Sequence, residues 1–235
     1  MRVIRDGGIG TLWLVCVAVF AAFTLAGPLP ASNAADLDDA QAVVEKARLA
    51  FGDFLRDGNY AWMHDHLRDA KGVLIYPQVL KGGFILGGSG GTGVLLVRDE
   101  KTGEYSYPAF YTVGSVSFGL QIGGEAAEVV MLVMSRKGID SLLTSKVNLG
   151  GDVSVAIGPV GGGAKGDITT DFISFARSKG LYAGLNLEGA VLSVRDRHNA
   201  AYYGQDVRPT DIIVSKKVAN PGSGPLREAM EKAAR

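Results

Sequence analysis

The sequence predicts an α+β fold: a strongly curved, mostly antiparallel β-sheet or partly closed barrel with flanking helices. Three observations predict it. Between Gly72 and Met134, apolar runs are cut again and again by glycine. Strand-like segments follow one another without the regular strand–helix alternation of a parallel sheet. The 33 glycines show no triplet period and sit in a chain that is 47% hydrophobic, so they belong inside structured elements, as bends and bulges of a curling sheet. At 235 residues the chain can bury one sizeable core and does not demand two domains.

The chain opens with Arg2 and Arg5, an apolar run from Thr11 to Gly27, and small residues Ser32 and Ala34. This is the layout of a secretory signal peptide over 1–34, cleaved after Ala34, with a retained membrane anchor as the alternative. Cys16 lies inside the run behind Val15, the wrong context for lipid attachment, and cleavage leaves no cysteine. Residues 35–235 then form a single exported domain without disulfide, thiolate nucleophile or cysteine metal site.

Asp36, Asp38 and Asp39 open a segment with Ala40, Val43, Val44, Ala47, Ala50, Phe51 and Phe54 at helical spacing. Acidic residues in the first turn suit the positive helix end. Acids outnumber bases from Ala35 to Ala70, which favours a helix packed on its own domain over one lying on a membrane. Gly58-Asn59 ends it, and Tyr60 to Asp69 reads as a second short helix. His64 and His66 stand without further ligand types nearby, so no metal site is expected.

Strands are expected over Gly72–Pro77, Gly82–Val97, Tyr105–Ile122 and Val129–Met134. Gly114 to Ile122 alternates, with Val116, Phe118, Leu120 and Ile122 on one side, as in a half-buried strand. Val129 to Met134 is apolar without alternation, as in a strand covered on both faces. Val147 to Ile157 alternates again and reads as one strand. From Leu181 to Val194 the apolar parity switches across Gly189, predicting a bulge or sharp bend there. Short helices are expected at Ser135–Thr144, Asp196–Tyr203 and Pro209–Val214, and Leu226–Ala234 is a helical or frayed tail.

Motifs for chemistry fail on context. Gly88 to Gly93 satisfies G-x-G-x-x-G, but Val94-Leu95-Leu96-Val97 continues it as a strand where a dinucleotide site needs a helix. Gly158 to Lys165 resembles a phosphate loop but has Ala164 where the lysine belongs. No Gly-x-Ser-x-Gly elbow exists, and His198, flanked by Arg195, Asp196 and Arg197, reads as a solvated helix start. The reading is therefore non-enzymatic, with no cofactor and no metal. Formal net charge is zero, which speaks against a nucleic-acid partner. A local basic set remains late in the chain: Arg195, Arg197, Arg208, Lys216 and Lys217. It either converges on phosphate headgroups or forms a solvated rim.

Ala70-Lys71-Gly72-Val73-Leu74-Ile75-Tyr76-Pro77, the glycine run from Gly82 to Val94, and Pro108-Ala109-Phe110-Tyr111 resemble the SYLF family, also called the Ysc84 actin-binding domain family. Gly180 to Ala190, Asp196-Arg197-His198-Asn199 and Tyr202-Tyr203-Gly204 extend the resemblance, which covers roughly Ala40 to Val214. It implies a lipid-binding domain, since eukaryotic relatives bind phosphoinositide membranes and some bind actin. With a signal peptide, the chain resembles a bacterial exported member, periplasmic or extracellular and peripheral at a membrane, for which actin is not an expected partner. The expected function is recognition of anionic phospholipid headgroups, with Arg195, Arg197, Lys216 and Lys217 as headgroup contacts. The alternative is an envelope structural or protein-interaction module that meets a protein partner.

Overall fold

The structure, a computed structural model, describes residues 31–83, 86–118, 123–161, 169–178 and 187–235. The expected leader falls outside the described residues up to position 30, and so does the first part, 181–186, of the run from Leu181 to Val194. Among the described residues no helix is long and apolar enough to cross a membrane.

Eight strands form one sheet: β1 (Gly72–Gly83), β2 (Leu86–Val97), β3 (Ala109–Phe118), β4 (Gly123–Val133), β5 (Lys146–Asn148), β6 (Val155–Ile157), β7 (Phe172–Ser178) and β8 (Val191–Val194). Their spatial order is β5-β8-β3-β2-β1-β4-β7-β6. All pairs are antiparallel except β6–β7. The predicted curled, mostly antiparallel sheet with flanking helices is the observed fold.

β1 at the centre is continuous where the sequence suggested two runs. Its register slips by one residue against both β2 and β4 between Ile75 and Val79. Pro77 sits in this slip, because it has no N–H to give to a ladder and is accommodated in a bulge. The bulge presses β1 onto β2: a Cβ on Gly91 would meet the Gln78 carbonyl oxygen, and one on Gly93 the Ile75 carbonyl oxygen and the Tyr76 ring. Gly91 and the last glycine of the apparent dinucleotide motif, Gly93, are thus explained by backbone approach within a sheet.

Each face of the sheet carries its own core. On one, Val73, Ile75, Val94, Leu96, Phe110, Val130, Leu132 and Phe175 pack against helix α1 (Ala31–Arg56), helix α2 (Ala61–His66) and the C-terminal helix. Ala40, Val44, Ala47, Phe51 and Phe54 form the buried stripe of α1, and each phenylalanine contributes about 1.5–3 kcal/mol by leaving water. Arg177 on β7 ties α1 down, pairing with Asp53 at 2.6 Å and Glu128 at 2.8 Å. On the other face, Leu74, Tyr76, Leu95, Tyr111, Val129, Met131 and Val133 meet helix α3 (Arg136–Leu142), a π-helical turn (Thr210–Val214) and β8. Two cores explain why Val129 to Val133 shows no alternation: both of its faces are covered.

Three expectations need correction. Val147 to Ile157 is not one strand. It supplies β5 and β6, the two opposite edges of the sheet, joined by 149–154. Gly150 turns the chain at φ +87, a conformation that favours glycine. The link is pinned by a Leu149–Val153 bridge and by the Asn148 N–H and amide donating to Asp152 Oδ2 at 2.8 and 2.9 Å. Second, Val116 lies on the predicted face of β3 but is 75% exposed, and Leu80, on the same face of β1, is 56% exposed. The core contributed by the helices ends at Phe110 on β3 and Ile75 on β1, so the glycine-rich strand ends extend beyond that cover. Third, Tyr105–Pro108 precede β3, and Tyr105 makes only an isolated bridge to Arg98.

Gly189 has φ +81 in the turn entering β8, as the parity switch required. The C-terminal segment is helical: α5 (Gly224–Ala233), following helix α4 (Asp196–Tyr203), buries Leu226 and Met230 in the core of the α1 face.

Candidate functional site

The connector between β2 and β3 begins one wall of a cleft of about 880 Å³. Asp99 organises this connector: its Oδ1 accepts from the Lys101 and Thr102 N–H groups at 3.0 and 3.3 Å. Three other elements complete the cleft: α3 with Ile139 and Leu143, the π-helical turn with Ile212, Ile213 and Val214, and Arg227 of α5. Val97, Tyr107 and these aliphatic side chains give an apolar lining continuous with the second-face core.

Around this lining stand Lys71, Arg98, Lys101, Arg136, Lys216 and Arg227, against Asp99, Glu100, Glu104 and Asp140. Lys71 pairs with Glu100 at 2.7 Å and Lys216 with Asp99 at 3.2 Å. Hydrogen bonds from Lys71 to Glu100, and from the Lys101 backbone and Lys216 to Asp99, hold both carboxyls below the usual carboxylate range. Both are ionised at neutral pH and fix the two lysines. Arg227 donates from Nε to the Tyr105 carbonyl at 2.7 Å and lies 4.5 Å from the Tyr107 ring centre. Arg98, Lys101 and Arg136 form no ion pair among the described residues.

Two buried donors in the lining stand out. Arg98 Nε and the Tyr105 hydroxyl have no hydrogen-bond partner among the described residues. An unmade bond at a buried polar group costs about 1–3 kcal/mol; both atoms are enclosed, the Tyr105 side chain within the core of the α1 face, while Arg98 Nη1 donates to the Arg68 carbonyl at 3.3 Å. Burial pushes the Tyr105 phenol up to about 12, keeping it a protonated donor at neutral pH.

Lys216 is held in the cleft lining by unusual backbone. The π-helical turn closes with the Ser215 N–H on the Thr210 carbonyl at 2.9 Å. Lys216 then adopts φ +49, the only positive φ outside glycine among the described residues. Such a residue stores about 1–3 kcal/mol of strain, and both features cluster at functional sites. The same turn leaves Val214 61% exposed beside the cleft.

Of the four residues expected to contact headgroups, Lys216 alone lines the cleft. Lys217 pairs with Asp211 at 2.7 Å, and Arg197 pairs with Asp36 at 2.8 Å beside α1. Arg195 donates from Nε to His198 Nδ1 at 3.0 Å. His198 is not a solvated helix start: it is 4% exposed, edge-on to Phe110, and burial with neighbouring Arg195 lowers its pKa. Beside it the buried Asn199 accepts the Phe110 N–H at 2.9 Å, so Asp196–Asn199 fastens α4 to the start of β3. His64 and His66 bond the Phe54 and Trp62 carbonyls, and His66 stacks on Trp62 at 3.7 Å.

Sequence reasoning passed over Lys71, Arg98, Lys101, Arg136 and Arg227 because they come from separate segments that only the fold assembles. The lining contains no histidine or cysteine. Its serine, Ser106, accepts the Val97 N–H and donates to the Tyr107 carbonyl.

Known proteins resemble this chain over much of its length. Residues 114–233 match the profile of the Ysc84 family, described as Las17-binding protein actin regulator. The SH3 domain-containing protein PJ696.02 of Schizosaccharomyces pombe is 34% identical over 164 residues, 67% of this chain and 37% of that protein. The SH3 domain-containing YSC84-like protein 1 of Homo sapiens is 31% identical over 149 residues, 61% of this chain and 43% of that protein. Protein YSC84 of Saccharomyces cerevisiae is 31% identical over 176 residues, 72% of this chain and 37% of that protein. The chain thus spans less than half the length of these relatives, two of which are named as SH3 domain-containing proteins. The extent of the profile match and the agreement among these relatives establish that the chain belongs to the Ysc84 (SYLF) family.

Proposed function

We propose that this chain is a non-enzymatic module that binds anionic lipid headgroups at a membrane surface, using the basic cleft beside α3. The observation that carries the reading is the set Arg98, Lys101 and Arg136, basic side chains of the cleft without ion-pair partners among the described residues. Each basic residue near an anionic surface contributes about 1 kcal/mol, screened by salt. With the leader expected from the sequence, the surface is that of an envelope membrane, and lipid rather than actin is the partner. Arg195, Arg197 and Lys217, each already engaged, are assigned to supporting positions around other elements.

Co-sedimentation with neutral and anionic liposomes at low and high salt tests this. Pelleting is expected with anionic liposomes only, lost at high salt. It should fall sharply in an Arg98→Ala, Arg136→Ala, Lys216→Ala variant and little in an Arg195→Ala, Arg197→Ala variant. Equal pelleting with neutral liposomes, or the reverse order of the variants, overturns the assignment. The competing reading is a protein-interaction module, favoured by exposed Leu80 and Val116 on one sheet face. It would show as salt-insensitive association with a protein and no lipid binding.

A further inference from the structure

The cleft is larger and more apolar than a headgroup alone requires. A phosphate would occupy a small part of about 880 Å³, a volume within the roughly 300–1,000 Å³ range of pockets that enclose whole drug-sized ligands. The apolar side chains a ligand can reach in the remaining lining are the part-exposed Val97, Tyr107 and Leu143 and the exposed Val214, backed by Ile139 and Ile212 of the second-face core. The basic side chains Arg98, Lys101 and Arg136 stand at the same lining without ion-pair partners among the described residues. A site built only for surface docking would have no use for this apolar floor, and one built for an apolar ligand would not gather such cations.

We infer that the cleft accommodates a single-chain anionic amphiphile, its phosphate or carboxylate among the Arg98, Lys101 and Arg136 side chains and its acyl chain along Val97, Tyr107, Leu143 and Val214. The inference rests on the headgroup reading above and extends it from contact with a bilayer to uptake of one lipid molecule. A lysophospholipid and a fatty acid share this chemistry. Val214, exposed at the same lining, stands where the chain would pass from bilayer to cleft.

Calorimetric titration of the full chain with inorganic phosphate, alkyl phosphates from octyl to dodecyl, and laurate, all below micelle formation, tests the inference. Saturable one-to-one binding of the long alkyl phosphates is expected, tightening about fourfold per methylene over the buried part of the chain. Comparison with laurate tells which headgroup is preferred. Arg98→Gln should weaken the whole series equally. Leu143→Trp, which fills the cleft, should flatten the dependence on chain length, and Val214→Gln, at an exposed position, provides a variant that folds regardless. Affinity independent of chain length, or full displacement by inorganic phosphate at similar concentration, overturns the inference. If liposomes still pellet the protein in that case, surface binding stands and only uptake fails. If neither amphiphile nor anionic liposome binds, both readings fail.

Discussion

Replacing Asn199 with alanine tests whether the Asp196–Asn199 stretch is architectural. Asn199 is fully buried, and its Oδ1 is the acceptor for the Phe110 N–H at 2.9 Å. Its amide reaches the Phe110 carbonyl only at 3.5 Å, and that carbonyl also accepts the Arg195 N–H at 2.9 Å. Alanine therefore orphans one buried donor and no acceptor. The orphaned N–H costs about 1–3 kcal/mol, and the shortened side chain adds a small void, so a loss of about 2–3 kcal/mol is expected. At about 2–4 °C per kcal/mol for a domain of this size, the melting midpoint should fall by about 4–12 °C. Urea unfolding, with the midpoint lowered at unchanged slope, gives the free energy directly. Anionic liposome binding per folded molecule should stay as in the parent. A loss below about 0.5 kcal/mol, typical of surface substitutions, would refute the structural role. Intact stability with lost lipid binding would place the stretch in the binding surface instead.

His198 gives a pH dependence. Its pKa in the fold is depressed by burial and by Arg195, outweighing the opposing pull of Asp36 and Asp39. The unfolded chain takes up the proton first, so stability is full above about pH 6.5 and is lost as pH falls from there through the folded pKa. Urea midpoints across this window should slope less in His198→Gln. Within the glycine run, Gly93→Val should prevent folding or lower the melting midpoint strongly, because its Cβ meets the Ile75 carbonyl, whereas Gly90→Ala, whose nearest neighbour is the Val113 carbonyl oxygen at 3.7 Å, should be tolerated. Equal tolerance at both positions would remove the bulge explanation. Lys216→Gly should raise stability by about 1 kcal/mol through relief of the left-handed backbone, and lower anionic liposome binding; a fall in stability would show that the Asp99 pair outweighs the strain.

Much of the sheet was legible because its signals are local. The unbroken apolar run at Val129–Val133 announces two covered faces, and the parity switch at Gly189 announces a turn, each within a few residues. The division of Val147–Ile157 was not legible, since its alternation continues through a link whose residues serve different edges. Val147, Leu149 and Val153 are buried, as a single strand would also require. The exposure of Val116 depends on where the helices end, which strand periodicity does not encode. The cleft was hidden for a related reason. Lys71 and Arg98 flank β1 and β2, Arg136 opens α3 and Arg227 lies in α5, so no sequence window holds the set. Lys216 was found because a lysine pair is visible without knowing the fold.

The short link between β5 and β6 bears on how the protein survives its own synthesis. The edges of a sheet are where strands of other molecules add on. Here the two outermost strands are the ends of one brief stretch of chain; β6 pairs with β7, the next strand along, but β5 cannot be laid down until β8, the last strand, has arrived. The central hairpins can form from neighbouring residues, but sealing the margins waits on distant partners and is the slow, vulnerable interval. In the native molecule β5 and β6 cover part of these borders, pairing Val191–Ser193 of β8 and Phe172–Ser174 of β7. Proteolytic cleavage at Gly150-Gly151 would free both short strands at once and lengthen the adhesive borders that β7 and β8 present.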